Sequence, residues 1–343
     1  MKRTLVAVTV FAIALSSTLL ILAQASGPYH AITEIKIGGA GQWDYLTVDE
    51  TGRRLYVAHS TQVEVIDIDA NKAAGVIADT PGVHGFAPAP DLGKGFSSNG
   101  RGNNVSVVDL KTLMTTSQVV TGGNPDWIFY EPKSGEVYTS NGAQTSYNST
   151  VFNAKTGAVI ATIPLGDKPE TAVADAAAGR VYVNLENTNM IGVIDMKTHM
   201  VVAKWPIAPG EGGTGLAFDV KNHRLFVGAG MGRGAGVIVV MDSTNGKVVA
   251  TMPAGAGIDA TQFDPGTGNV FVSAGQAGTV TIIHEDTPDK YSLVQTLTTA
   301  PNARTMGLDP KTHNIYLAAT EQVAGQRGGA PNSFKIMVFG TGK

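Results

Sequence analysis

The chain has 343 residues, with 25 basic against 28 acidic side chains for a formal charge of −3, and no cysteine. That balance, free of basic blocks, argues against a nucleic-acid phosphate backbone as partner, and the missing thiols exclude disulfides and a lipidated N-terminal Cys. Forty-two Gly, 16 Pro and only 15% charged residues supply turns throughout, and no long amphipathic helical pattern is present, which leaves an all-β body.

The first element in chain order is an address. Lys2 and Arg3 precede an apolar run over 5–22 and the small-x-small site Ala23-Gln24-Ala25, the pattern of a signal peptide over 1–25. The run is long for such a peptide, so an uncleaved N-terminal membrane anchor is the alternative. Cleavage would remove Lys2 and Arg3 and leave 23 basic against 28 acidic side chains. No later segment has the length of apolar sequence that a membrane span requires. Residues 27–343 are therefore expected as a single domain, monomeric, in the periplasm or secreted.

After an isolated strand signal at 32–37, with Ile32, Ile35 and Ile37, one short motif recurs seven times. Its aromatics are Tyr56, Phe96, Tyr138, Tyr182, Phe226, Phe271 and Tyr316, separated by 40, 42, 44, 44, 45 and 45 residues. A period in the low forties with several strands per unit is that of a β-propeller blade. The fourth unit illustrates the pattern, with strands predicted at 171–174, 180–184, 190–196 and 201–207. Nearly continuous apolar residues in its second and third strands fit a sheet covered on both faces. Asp- or Asn-led hairpins at 67–72, 109–113, 153–157, 195–199 and 242–246 join third to fourth strands, where the side chain folds back on backbone amides. The last unit has strands at 304–308, 314–318 and 334–339 but no sequence left for a fourth. Pairing 32–37 with 335–339 supplies it, so the expected fold is an all-β, seven-bladed propeller of four-stranded antiparallel blades closed by the N-terminal strand.

The recurring G-[RK]-x-[VLI]-[YF]-V units with D-x-x-[TN]-G hairpins resemble the YVTN-repeat propellers, specifically the secreted or periplasmic YncE-like group. The resemblance covers essentially the whole chain after the leader. It implies seven blades and an extracytoplasmic location, and its members mostly lack an assigned reaction. Two units depart from the pattern: GKGFSS in the second lacks the usual Val and follows a shorter first turn, and the last carries a Gly-rich insertion, so both blades are candidates for distortion.

Function is sought where the repeats differ. Twelve residues before each aromatic stand Asp44, His84, Asp126, Glu170, Thr214, Asp259 and Arg304. Equivalent positions in a closed ring surround the central channel, and with His84 neutral they sum to −3. Such a concentration of carboxylates raises pKa values or recruits a cation, and Asp44, Asp126, Glu170 and Asp259 are the candidate ligands for Ca²⁺ or another divalent ion. Trp43 and Trp127 flank two of these acids as packing or as a surface for an organic ligand. Arg233 and Arg327, on Gly-rich loops expected at the same mouth, are candidate clamps for an anionic group. GAGMGRGAG at 228–236 lies between strands and opens no helix, so it lacks the basis for phosphate binding.

Two function classes follow. The preferred one is a non-catalytic scaffold that binds a small molecule or protein partner at the funnel. The alternative is a lactonase- or isomerase-like enzyme in which Asp126, Glu170 or Asp259 holds a metal or acts as base, His84 shuttles a proton and Arg304 fixes a carboxylate.

Overall fold

The computed structural model describes residues 27–39, 42–230, 234–322 and 329–342; the leader, Arg233 and Arg327 lie outside them. Twenty-eight strands form seven four-stranded antiparallel sheets, arranged as a seven-bladed β-propeller. Six blades are made of four consecutive strands each. The fourth blade comprises Pro169–Asp175, Arg180–Leu185, Met190–Asp195 and Met200–Pro206, within two residues of the predicted starts and ends throughout. Among the described residues no helix is long and apolar enough to cross a membrane.

Closure follows the predicted route. His30–Lys36 pairs antiparallel with Lys335–Gly340, with Ile35 opposite Ile336 and Lys36 opposite Lys335. The N-terminal strand thereby becomes the outermost strand of the seventh blade, so its free edge faces outward as in the other blades; the pairing moves the exposed edge and does not abolish it. Tyr29 ties the same segment to the sixth blade: its amide donates to Gln295 Oε1 and its carbonyl accepts from Gln295 Nε2, both at 2.9 Å.

The repeated aromatics sit where the blades meet. All seven are at most 2% exposed, which places the hydrophobic payload of each unit in a blade interface. Seven apolar clusters result, each shared by two neighbouring blades. The cluster that joins the last blade to the first contains Leu55, Leu46, Tyr316 and Ile336. The predicted hairpins also form: Asp195 Oδ1, for example, accepts the amides of Lys197 and Thr198 at 3.1 and 2.9 Å.

The second blade is regular despite its unusual motif. Gly95 stands where a side chain would collide with the Phe86 ring, and that ring stacks on Tyr56 of the first blade at 4.3 Å between centroids. Its shorter first turn closes as a 3₁₀ turn over Pro90–Leu92, ended by Gly93 in the left-handed region at φ 62°. The seventh blade alone is altered, with an inner strand of only four residues, Met306–Asp309.

Candidate functional site: the charged mouth of the channel

The inner strands of six blades begin at Trp43, Val83, Pro125, Pro169, Gly213 and Ile258, so Asp44, His84, Asp126, Glu170, Thr214 and Asp259 are each the second residue of an inner strand. A β-bulge follows in all six, between Trp43 and Leu46 in the first blade and at matching positions in the others. Bulges re-aim side chains at sheet ends. Arg304 lies two residues before the shortened inner strand of the seventh blade.

Neighbouring blades fix these residues through their backbone carbonyls. Ser98 donates to Asp126 O at 2.5 Å, Ser140 to Glu170 O at 2.7 Å, Asn184 to Thr214 O at 2.9 Å and Thr305 to Asp44 O at 2.7 Å; Ser273 donates likewise to Arg304 O. Each donor belongs to a blade adjacent to the residue it holds. Blade packing therefore sets the ring geometry.

The side chains form three charge groups. In the first, His84 Nδ1 lies 2.6 Å from Asp44 Oδ2 and 3.6 Å from Asp126 Oδ1. Burial alone would lower the imidazole, but the Asp44 hydrogen bond and the charges of Asp126 and Asp44 override it and push His84 up to about 9. Room for that ring comes from Gly100, where a Cβ would stand 2.6 Å from His84 Nε2 and from Asn124 Oδ1. Burial pushes Asp126 up to about 6, against the opposing charge of His84. In the second group Lys168 Nζ lies 2.6 Å from Glu170 Oε1 and 2.5 Å from Glu186 Oε2. Burial, then the Asp126 charge, holds Glu170 well above the usual carboxylate range, with Lys168 pulling the other way. In the third, Arg304 Nε lies 2.7 Å from Asp259 Oδ2 and its terminal nitrogen 3.7 Å from Asp44 Oδ1; burial raises Asp259 to about 7.

This arrangement corrects the expected charge of the ring. The sum of −3 leaves His84 neutral and counts only one residue per blade, whereas a protonated His84, Lys168 and Arg304 set three cations among five carboxylates, Glu186 included. The four candidate metal ligands are not gathered together either. Among the described residues the group whose ligand atoms lie within 4.8 Å of one another is Asp44, His84 and Asp126, while Glu170 and Asp259 are held by cations of the chain itself.

The two tryptophans occupy different settings. Trp43 is buried against Phe334, with ring centroids 5.7 Å apart, and Arg304 lies over its ring at 5.8 Å while donating to its carbonyl. Trp127 is half-buried, fixed by an indole N–H bond to Ala172 O at 2.9 Å, and meets Tyr45 edge-on at 4.7 Å. Tyr45 reaches across from the first blade to donate to Glu170 Oε2 at 3.4 Å. Tyr45, Lys168 and Asn124 escape a count of one residue per blade; Tyr45 directly follows a ring position and the other two precede one by two residues, so a wider window finds them.

No protein-family model matches the chain, and no curated protein does. Solved structures match along most of its length. A chain of Kuenenia stuttgartiensis hydrazine synthase superposes with a TM-score of 0.74 at 17% identity, covering 83% of this chain and 94% of that one. The structure of U3-55K gives 0.73 at 10% identity over 90% and 98% of the two chains. The WD40 β-propeller domain of Doa1 gives 0.72 at 14% identity over 92% and 98%. At these identities the likeness is one of architecture, and it agrees with the strand order in placing this chain among the seven-bladed β-propellers.

Proposed function

We propose that the protein is an exported, YncE-like propeller that serves as a binding scaffold, with a small molecule or a partner segment held in the charged mouth of its channel. One observation carries the reading: Asp126 Oδ1 is buried with no hydrogen-bond partner. The nearby His84 Nδ1 is directed to Asp44 at 2.6 Å and stands 3.6 Å from Asp126, too far for a hydrogen bond. An unmet buried acceptor costs about 1–3 kcal/mol; the Asp126 side chain is 14% exposed, and a turn of its carboxylate toward the mouth lets a ligand N–H or O–H recover that cost. A primary amine or a polyol suits this acceptor, and the charge of Asp126 is felt at Glu170 and Asp259.

The enzymatic alternative keeps one supporting observation. Asp126 and Asp259, raised to about 6 and about 7, fall where general acids and bases work best near neutrality. In that reading one of them takes a proton from the water that adds to a lactone carbonyl as the ring C–O bond breaks, or from a carbon of an isomerisable substrate, and Arg304 holds the substrate carboxylate. Ca²⁺ would enter at Asp44 and Asp126, in competition with the proton on His84.

Thermal shift with small amines, polyols and CaCl₂, each with and without EDTA, separates these readings. The scaffold reading expects a rise in Tm with an amine or polyol that EDTA leaves unchanged and Asp126→Leu, which has no acceptor, removes. A response to Ca²⁺ alone that EDTA reverses, or turnover of a lactone panel lost in His84→Gln, favours the enzyme.

A further inference from the structure

The channel is built of two chemically opposite halves, and the half away from the charged mouth contains a cavity. Its volume is about 290 Å³, and Tyr45, Trp127, Leu216, Phe218, Phe263 and Met306 are prominent in its wall. These residues come from the inner strands of five blades, so the cavity lies on the axis of the ring. Among the described residues no Asp, Glu, Lys, Arg or His lines it. Val220, just beyond the end of its inner strand, is 55% exposed and also lines the cavity, which sets its opening on the face where inner strands turn into second strands. Tyr45 and Trp127 separate the two halves: the Tyr45 hydroxyl is bonded to Glu170 on the charged side, while both side chains border the apolar side.

We infer that this cavity is a second binding site, distinct from the mouth, for a compact uncharged molecule with one or two fused rings. The volume is at the small end of ligand pockets, which run from about 300 to 1,000 Å³, and excludes a peptide or a lipid chain of ordinary length. Aromatic edges and a thioether around an apolar space favour a flat ring, through edge-to-face and sulfur contacts. A charged ligand is disfavoured because no lining group compensates its desolvation. Gln262, half-buried in the wall with its Nε2 on Met306 O at 3.3 Å, offers a carbonyl oxygen that can accept a single O–H or N–H and so orient the ring. Phe218, Phe263 and Val173 are only partly buried, so a ring seated among them removes apolar surface that the fold leaves wet.

The test uses the folded protein with 1-naphthol as probe and 1-naphthoate and 1-naphthylmethylamine as charged counterparts, measured by calorimetric titration and by the change in Tm. Binding of 1-naphthol with at least tenfold preference over both charged analogues is expected. Ala174, a partly buried wall residue, provides the blocking variant: Ala174→Trp fills the cavity and should weaken 1-naphthol binding at least tenfold. Val173→Trp serves the same purpose should Ala174→Trp not fold. Asp126→Asn should leave 1-naphthol binding within twofold, which separates this site from the mouth. No binding of 1-naphthol up to its solubility limit, equal binding of the charged analogues, or unchanged binding in a folded blocking variant would overturn the inference.

Discussion

The two faces of the ring use the same residue types in opposite ways. On the face where inner strands turn back, an acid closes the inner strand of every blade but the second, which ends at Ala89, and performs one local task in blade after blade. Asp175, Asp219, Asp264 and Asp309 each accept the amide two residues on, at 3.1, 2.9, 2.9 and 3.2 Å. Two of them also bind the next blade: His313 Nδ1 meets Asp264 at 2.7 Å, and Arg53 meets Asp309 at 2.9 and 2.7 Å. At the mouth, Asp44, Asp126, Glu170 and Asp259 occupy one structural position yet each has a different environment: a histidine, an unmet acceptor, a lysine and an arginine. An acid that repeats with its backbone partner is a turn device. One that repeats while its partners change is the better candidate for function.

Removing 27–38 should have the largest effect, because it strikes both faces together. The deletion takes the outer strand from the seventh blade and Tyr29 from its seat on Phe271, where the ring centroids are 5.2 Å apart. Loss of the cooperative transition in far-UV circular dichroism is expected; a variant that melts like the wild type would show that closure does not hold the faces in register. Tyr182→Ala comes next, at about 3–5 kcal/mol. The ring of Tyr182 is 2% exposed in the interface of blades four and five, and its hydroxyl donates to Ser243 O at 2.9 Å. Chemical denaturation measures the cost, and a loss below about 1 kcal/mol would mean that the repeated aromatics do not carry the interfaces.

The contrast also explains what was legible in the sequence. Seven buried aromatics at near-constant spacing and hairpin acids that bond their own neighbours are local and periodic, so counting finds them, and Ile35 and the terminal strand follow from a missing fourth strand. The ring positions were legible for the same reason, because an inner strand starts a fixed distance before its aromatic. Their partners were not. Lys168 and Asn124 lie two residues before ring positions, Tyr45 meets Glu170 from 125 residues away, and the space for His84 depends on Gly100 having no side chain. Charge compensation across a channel depends on distances that only the closed ring defines, so a sum over sequence positions overstated the negative charge.

Acid and alkali should probe the two faces separately. His84 is raised from 6.5 to about 9, so its contribution is complete below about pH 6.5 and disappears as pH rises through about 9. The difference corresponds to at most about 3 kcal/mol. Asp126 and Asp259, also raised, have the same sign and erode stability between about pH 4 and their values of about 6 and about 7. Asp309 behaves oppositely: burial would raise it, but its bonds to Arg53 and Thr312 hold it below the usual carboxylate range, so its contribution is present above about pH 4 and is lost in acid. His84→Gln should flatten the stability profile between pH 6.5 and 9, shift the Asp126 limb upward because the opposing charge is gone, and leave the Asp309 limb below about pH 4 unchanged. An unaltered alkaline limb would remove His84 from the charge group.

Glu170→Gln should have the smallest effect on stability and so gives the sharpest comparison between the faces. Glutamine retains an oxygen for the Tyr45 hydroxyl, and Lys168 keeps Glu186 at 2.5 Å. A buried carboxylate held above its usual range gains little by ionising, so the change should stay within about 1 kcal/mol, the range of substitutions that break no packed contact. If Glu170→Gln instead costs as much as Tyr182→Ala, the mouth acids serve the scaffold as the turn-face acids do, and the division of labour between the two faces fails.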